Sequence, residues 1–174
     1  MMNSIILIGP PGSGKSTVGE LLAKELKRPF LDTDQLVEEK AGKKISSIFV
    51  DEGEAAFRSQ ESAAVTSALE EDGVVISLGG GAVMTEAVTS QLEQTSDFIV
   101  YLEVGIASAA PRIGFNRDRP LLLVNPRQQW LSLYEKRRPT YEKLADFRIS
   151  TDDAEPSDIA QAIVQNWERR NDSD

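Results

Sequence analysis

The 174-residue chain contains no cysteine and no histidine, and these two absences exclude several kinds of chemistry. Without cysteine there can be neither a disulfide framework nor a thiolate metal site. Without histidine the commonest general base is missing, together with Ser-His-Asp catalysis and histidine-metal sites. Acid–base chemistry in this protein therefore has to come from Asp, Glu, Lys or water.

Long apolar runs are also missing from the sequence. No segment approaches the length of about 20 residues that a membrane-spanning helix needs. The N-terminus has no basic region and its apolar run stops at Gly9, so we expect no signal peptide. The length fits one domain, and no sizeable apolar surface can be identified. We therefore expect a single-domain, soluble cytoplasmic protein that is a monomer and has no membrane partner.

Positive charge is scarce overall but concentrated in one segment. The net charge is −9, which argues against nucleic acid as a partner. Residues 112–138, however, carry six of the eleven arginines and one lysine against two carboxylates. Such a local basic region favours a small anionic ligand. For Arg127 and Arg138 individually, a solvated helix face is an equally good explanation.

Residues 5–17 read IILIGPPGSGKST and contain the most specific motif of the chain. An apolar run typical of a buried parallel strand precedes a loop at residues 9–17, which fits G-x-x-x-x-G-K-[ST] from Gly9 to Ser16. In this motif the loop amides and the following helix N-terminus surround phosphate oxygens. Lys15 would reach the β- and γ-phosphates and the Ser16 hydroxyl would bind Mg²⁺. The motif predicts a site for a purine nucleoside triphosphate, with the nucleotide-binding residues Gly12, Ser13, Gly14, Lys15, Ser16 and Thr17.

The remaining sequence predicts an α/β fold with a central parallel five-stranded sheet flanked by helices. The strand-like runs lie at residues 5–8, 30–32, 74–78, 98–102 and 147–150, and residues 16–27 fit a helix. Residues 34–72 contain two or three helical segments without a strand, which indicates an inserted helical subdomain. Residues 112–124 contain Gly114 and Pro120 and are typical of a mobile loop. The polar tail at residues 169–174 is expected to fray.

Two aspartates, Asp32 and Asp34, end the second predicted strand, at the edge where ligands bind in such sheets. One carboxylate can be oriented to Mg²⁺ and the other to an acceptor hydroxyl. Asp34 could instead cap the helix that starts near Gln35. The third strand ends in Ser77 and Leu78 and offers no aspartate for the metal, so Asp32 is the better candidate for the Mg²⁺ shell.

An arginine and a glycine triplet complete the set of candidate residues. Arg58 lies in the helical stretch EAAFRSQE, and alone it would be a surface ion-pair partner of Glu54 or Glu61. Gly79–Gly81, in LGGGA, follow the third strand, and three glycines there let a ligand contact the backbone directly. A loop that needs positive φ angles is the alternative explanation for the triplet.

Taken together, these motifs closely resemble the shikimate kinase family. The resemblance covers roughly residues 4–165 and is carried, in order, by GPPGSGKST, LDTD, FRSQE, LGGGA, RDRPLL and RRPTYEKLADF. It implies a fold like that of nucleoside monophosphate kinases, with a substrate-binding insertion at about residues 33–61 and a lid at about residues 112–124. It also implies transfer of the ATP γ-phosphoryl group to the 3-hydroxyl of shikimate, with Mg²⁺, as a step of aromatic amino-acid biosynthesis.

On the nucleotide side, the resemblance implies that Lys15 stabilises the transferred phosphoryl group. Ser16 and Asp32 would organise Mg²⁺, and Arg112 would stack on adenine. Arg119 would be the lid arginine that meets the phosphates and the acceptor. The implied catalytic residues are Lys15, Asp34 and Arg119.

On the acceptor side, Asp34 is similar to the residue that contacts the shikimate hydroxyls and orients or deprotonates the attacking one. Arg58 and Arg137 resemble the pair that binds the shikimate carboxylate, although the sequence leaves open whether Arg137 or Arg138 faces the substrate. The role of Arg117 in the lid is also open. The implied substrate-binding residues are Asp34, Arg58, Gly79, Gly80, Gly81 and Arg137.

Three other functions share parts of this pattern. A gluconate kinase would have the same loop and lid, but Arg58, the glycine triplet and Arg137 suit a rigid ring with a carboxylate. A nucleoside monophosphate kinase would need a pocket for a second base, which the sequence does not indicate. A nucleotide-gated binding module without turnover would not need the complete set of catalytic residues that this chain has.

Overall fold

Five strands and eight helices make up the described part of the protein, a computed structural model that describes residues 2–113 and 125–173. The strands are β1 Ile5–Ile8, β2 Phe30–Asp32, β3 Val75–Ser77, β4 Phe98–Glu103 and β5 Phe147–Ser150. The helices are α1 Lys15–Leu26, α2 Thr33–Ala41, α3 Ile45–Glu52, α4 Glu54–Leu69, α5 Glu86–Gln94, α6 Ile106–Ile113, α7 Pro126–Leu144 and α8 Pro156–Ser173. A single 3₁₀ turn covers Ala82–Met84.

The strands form one parallel sheet in the order β2-β3-β1-β4-β5. The predicted fold class is therefore confirmed, and strand boundaries differ by a residue or two. The third strand is shorter than expected, Val75–Ser77, and the fourth extends to Glu103. The apolar runs of β1 and β4 are buried almost throughout because helices cover both faces of the sheet.

Each face of the sheet has its own hydrophobic core. On one face, Ile5 and Leu7 of β1 pack with residues of α1 and α8, among them Leu22 and Ile163. On the other face, alternate β1 residues pack with α4, α5 and α7. This three-layer packing holds the carboxyl ends of the strands, where the candidate residues lie, on a rigid support.

The helical insertion forms as α2, α3 and α4, with no strand between β2 and β3. The insertion has a small core of its own, in which Val37, Ile48 and Phe57 are almost completely buried. Helix α2 also contacts β2, and residues of α2 and α4 line a cavity together with Pro10 and Pro11 of the P-loop.

Two further expectations concern the predicted lid and the C-terminal tail. The proposed lid falls mostly outside the described residues, including Gly114, Arg117, Arg119 and Pro120. The tail that was expected to fray is helical as far as Ser173, because Arg170 donates to the carbonyl of Ser96 and lies over the ring of Phe98. No helix among the described residues is long and apolar enough to cross a membrane.

Candidate active site

The glycine-rich loop between β1 and α1 takes a conformation that requires glycine. Gly12 has φ +82°, and a Cβ added there would lie 2.8 Å from Ile113. Gly14 has φ +90° and is the residue that immediately precedes α1, so the helix begins at Lys15, one residue earlier than predicted. The loop therefore presents the N-terminus of α1, which is a favourable place for phosphate.

Lys15 lies along the inner side of this loop. Its ammonium donates to the carbonyls of Gly9 at 2.8 Å and Pro10 at 3.0 Å, and only 9% of the residue is exposed. The charge is therefore held beside the loop backbone and close to where the phosphates are expected.

Ser16 and Asp32, the two residues predicted to organise Mg²⁺, are bonded to each other. The Ser16 hydroxyl donates to Asp32 Oδ2 at 2.9 Å. The other carboxylate oxygen of Asp32 accepts from the backbone N–H groups of Asp34 and Gln35 and so caps α2. The cap that was considered for Asp34 is thus formed by Asp32, and Asp34 lies in the first turn of the helix.

The Ser16–Asp32 pair fits a magnesium ion. Mg²⁺ prefers oxygen ligands and usually takes only one or two from the protein, the others coming from phosphates and water. A hydroxyl and a carboxylate at the phosphate-binding loop are such a donor set. Groups of three or more acidic residues that could hold a metal are absent from the described ranges, 2–113 and 125–173.

A cavity of about 860 Å³ opens next to the loop, between the insertion and α7. Beside the glycine triplet it is lined by two carboxylates and two guanidinium groups, those of Asp34, Glu61, Arg58 and Arg137, and Phe49 and Phe57 provide an apolar wall. The other charged lining residues are Asp32, Glu38, Glu39, Lys43 and Lys44. A small ring that carries hydroxyls and a carboxylate matches this division into charged and apolar walls.

Arg58 is partly buried in this arrangement. Its Nη1 lies 2.8 Å from Glu61 Oε1, and its Nη2 lies 3.7 Å from Glu54 Oε1. Glu61 is only 1% exposed, and burial raises the pKa of its carboxyl above the ordinary value, an effect that the Arg58 guanidinium opposes. From sequence both glutamates were expected only as surface partners of Arg58, so Glu61 was missed as a buried member of the site.

The glycine triplet leaves room for these charged side chains. A Cβ at Gly79 would lie 2.6 Å from Asp34 Oδ1 and 2.7 Å from Glu61 Oε2. A Cβ at Gly81 would lie 2.6 Å from both terminal nitrogens of Arg58. Neither glycine has a positive φ, so close approach, and not backbone conformation, explains why these positions are glycine.

Of the two neighbouring arginines on α7, Arg137 lines the cavity. Arg137 is 6% exposed, and burial lowers the pKa of its guanidinium. Its Nη1 lies 3.4 Å from the position of a Cβ on Gly80. Arg138 has a largely exposed side chain and pairs with Glu142 on the same helix. The geometry therefore favours Arg137 as the residue that can contact an acceptor.

Arg112 lies at the other end of the site, away from the acceptor cavity. It donates to the carbonyl of Gly12 at 3.0 Å and to the backbone and hydroxyl of Thr151, which follows β5. This position next to the P-loop is compatible with the expected contact to adenine. Arg119, the expected third catalytic residue, lies outside the described residues.

The parallel sheet, the phosphate-binding loop and the neighbouring acceptor cavity together define a P-loop kinase with a fold like that of nucleoside monophosphate kinases.

Comparisons with known proteins identify the family. A sequence profile described as Shikimate kinase matches residues 11–168. A shikimate kinase from Rhodococcus jostii is 44% identical over 165 residues, which cover 94% of this chain and 97% of that protein. The solved structure of a shikimate kinase from Acinetobacter baumannii in complex with shikimate has a TM-score of 0.93 at 36% identity, and the match covers 98% of this chain and 95% of that one. The chain therefore belongs to the shikimate kinase family.

A gluconokinase from Sinorhizobium meliloti is a more distant relative in structure. Its TM-score is 0.62 at 18% identity, with 98% of this chain and 94% of that chain covered. This similarity shows a shared fold alone, and it gives no support to gluconate as the acceptor.

Proposed function

We propose that this protein transfers the γ-phosphoryl group of ATP to the 3-hydroxyl of shikimate, giving shikimate 3-phosphate and ADP. The observation that carries the proposal is the cavity beside the P-loop, which is lined by Asp34, the half-buried Arg58 and the buried Arg137. This arrangement suits an acceptor with a carboxylate at one side of a rigid ring and hydroxyls at the other. Membership of the shikimate kinase family supports the same reaction.

Acceptor binding is assigned to the part of the cavity that lies beside the glycine triplet. Arg58 and Arg137 would pair with the carboxylate, since a guanidinium can bind a carboxylate through two hydrogen bonds. Because Arg58 already bonds Glu61 through Nη1, its orientation is fixed before the acceptor arrives. Gly80 would offer its backbone to the ring hydroxyls, with Gly79 and Gly81 providing the space around it.

Asp34 is proposed to contact the attacking hydroxyl. Its Oδ1 approaches Gly79 closely, and the first turn of α2 holds the residue next to Asp32. A carboxylate at this place can orient the hydroxyl and accept its proton as the phosphoryl group is transferred. With no histidine in the chain, a carboxylate is the group that can do this at neutral pH.

The phosphate side of the reaction is assigned to Lys15, Ser16 and Thr17, with the loop residues Gly12, Ser13 and Gly14. Lys15 would stabilise negative charge on the transferred group, because a charge held in place before the reaction needs no reorganisation. Arg112 is proposed to contact adenine, and Arg119 to contact the phosphates and the acceptor. Ser16 and Asp32 would hold Mg²⁺, which when bound neutralises phosphate charge and orients the leaving group.

The insertion at residues 33–61 is proposed to be the substrate-binding part of the chain, since Asp34 and Arg58 both belong to it. The protein is proposed to act as a monomer, as expected from the sequence. The use of ATP supports the expected cytoplasmic location.

Release of ADP, measured in a coupled assay with several acceptors, tests the proposed function. We expect turnover with shikimate and none above background with gluconate or nucleoside monophosphates. Turnover with gluconate in preference to shikimate would contradict the acceptor assignment. Binding of ATP without turnover on any acceptor would instead indicate a nucleotide-gated binding module.

A further inference from the structure

Helix α7 contacts both loops that have to be aligned for phosphoryl transfer. The indole N–H of Trp130 donates to the carbonyl of Pro11, in the P-loop, at 2.9 Å. The hydroxyl of Tyr141 donates to the carbonyl of Gly80, in the glycine triplet. Both side chains are buried, with exposures of 2% and 0%. One helix thus holds the backbone of the phosphate loop and the backbone of the acceptor loop.

The two loops touch each other where α7 holds them. A Cβ at Gly80 would lie 3.0 Å from Cδ of Pro11 and 3.4 Å from Nη1 of Arg137. The contact between the loops is therefore close, and both hydrogen bonds act on the residues that make it. A small shift of either carbonyl would change the spacing between the phosphate site and the acceptor.

The aromatic residues on this face of α7 are packed as a row. Trp130 meets Tyr134 edge-on with 5.0 Å between ring centroids, and Tyr134 lies 6.3 Å from Tyr141. Tyr141 in turn stacks on Tyr101 of β4 at 5.2 Å, which joins the row to the central sheet. Residues 130, 134, 137 and 141 follow the spacing of one helix face, which places the row and Arg137 on the same side of α7.

From this geometry we propose that α7 is a spacer between the P-loop and the glycine triplet, in which Trp130 and Tyr141 are positioning residues. The spacer would set the distance over which the phosphoryl group passes to its acceptor. The proposal rests on the proposed function, because it concerns the alignment of that donor and that acceptor. Since reacting groups must be placed within fractions of an ångström, loss of either hydrogen bond should reduce turnover more than binding.

The test uses Trp130→Phe and Tyr141→Phe in the full chain, because each keeps an aromatic ring and removes the hydrogen-bond donor. Trp130→Phe also removes part of the indole ring, a loss of volume that the Trp167→Phe control shares. We expect each single variant to lower kcat about tenfold, with KM for both substrates within about twofold of the parent. The residues are 11 positions apart, roughly 16 Å along the helix, and effects at such separations normally multiply. If both hydrogen bonds set the same distance between the P-loop and the glycine triplet, breaking the second bond adds no further loss. The double variant should then lose no more kcat than the worse single variant.

Matched controls separate positioning from general stability. The indole N–H of Trp167, on α8, has no hydrogen-bond partner within the described part of the chain, so Trp167→Phe removes an indole without removing such a bond. Tyr101→Phe removes a buried hydroxyl that bonds Tyr134 and not the glycine triplet. Both controls should keep kcat within about twofold of the parent, while their midpoints of thermal unfolding are measured beside those of the test variants.

Several results would overturn the spacer. The first is an unchanged kcat in the single variants. The second is a double variant whose loss of kcat equals the product of the two single losses. The third is a loss of kcat in the controls as large as that in the test variants. Tryptophan fluorescence gives a measurement that does not depend on activity. In Trp167→Phe the remaining tryptophan is Trp130, and its fluorescence should change when ADP binds the P-loop. If ADP leaves the fluorescence of Trp130 unchanged, the spacer proposal is contradicted. If the parent protein shows no shikimate-dependent ADP release, the proposed function is contradicted instead, and the fluorescence result alone tests the spacer.

Discussion

An alanine at position 79 is the smallest change that perturbs the acceptor end of the cavity. The new Cβ would lie 2.6 Å from Asp34 Oδ1 and 2.7 Å from Glu61 Oε2, where contacts under 3.0 Å essentially do not occur and those up to 3.4 Å are tight. The Asp34 oxygen would therefore have to retreat by about 0.4–0.8 Å, the difference between 2.6 Å and those limits. Gly79 does not have a positive φ, so the backbone itself accepts alanine.

A displacement of this size is large for a group that contacts a reacting hydroxyl, because catalytic groups need placement within about 0.5 Å. We expect Gly79→Ala to reduce kcat/KM for shikimate by about 10- to 100-fold. The coupled ADP-release assay measures this loss, and calorimetric titration should find ADP binding unchanged, since the P-loop is not touched.

Gly105→Ala is the matched control for this substitution. Gly105 also lacks a positive φ, and its added Cβ would meet only the carboxylate of Asp152 at 3.3 Å, an exposed side chain that can move. This variant should keep kcat/KM for shikimate within about threefold of the parent. A Gly79→Ala enzyme with the activity of the Gly105→Ala control would refute the argument that Gly79 makes room for Asp34.

Four further substitutions test the assigned roles. Lys15→Met should lower kcat by about 10²- to 10³-fold with the fold intact by circular dichroism, and a loss under tenfold would contradict its place at the phosphate. Arg58→Ala should weaken shikimate binding by about 2–5 kcal/mol while ADP binding is kept, and Arg138→Ala, the exposed control, should change neither in the same titrations. Asp34→Asn should reduce kcat in steady-state assays far more than it weakens shikimate binding, whereas a surviving kcat with lost binding would make Asp34 a positioning residue only. Because burial raises the pKa of Glu61, its contribution to stability is present below its ordinary pKa of 4.5 and is lost as pH rises through the folded-state value. Glu61→Gln should remove this part of the pH dependence of thermal unfolding, and an unchanged dependence would show that the group does not titrate on folding.

The fold was predictable because its signals are local. Apolar runs such as Ile5–Ile8 and the P-loop pattern after them specify a buried strand, a turn and a helix in sequence order. Helix and strand ends were less predictable, since they depend on caps. Asp32 caps α2 through one carboxylate oxygen and bonds Ser16 through the other, and nothing in the sequence says which aspartate does this.

The candidate site was predictable where a motif fixes the residue and not where packing decides it. Lys15, Asp34, Arg58 and Arg137 were found from motifs and family resemblance. Glu61 was seen only as a surface partner of Arg58, because its burial arises from the approach of α4 to Gly79 and not from its neighbours in the chain.

The choice between Arg137 and Arg138 depends on which face α7 turns to the cavity. The hydrogen bonds of Trp130 and Tyr141 hold that face inward, toward Pro11 and Gly80. They join residues 119 and 61 positions apart in the sequence. No local pattern indicates them.

Transfer of label from ATP carrying ³²P at the γ-position tests whether this protein phosphorylates shikimate. With shikimate present, we expect one labelled organic phosphate for each ADP formed, and ³¹P–¹H coupling should place the phosphate on the oxygen at carbon 3 of the ring. Label that appears only as inorganic phosphate, or on gluconate and not on shikimate, would show that shikimate is not the acceptor.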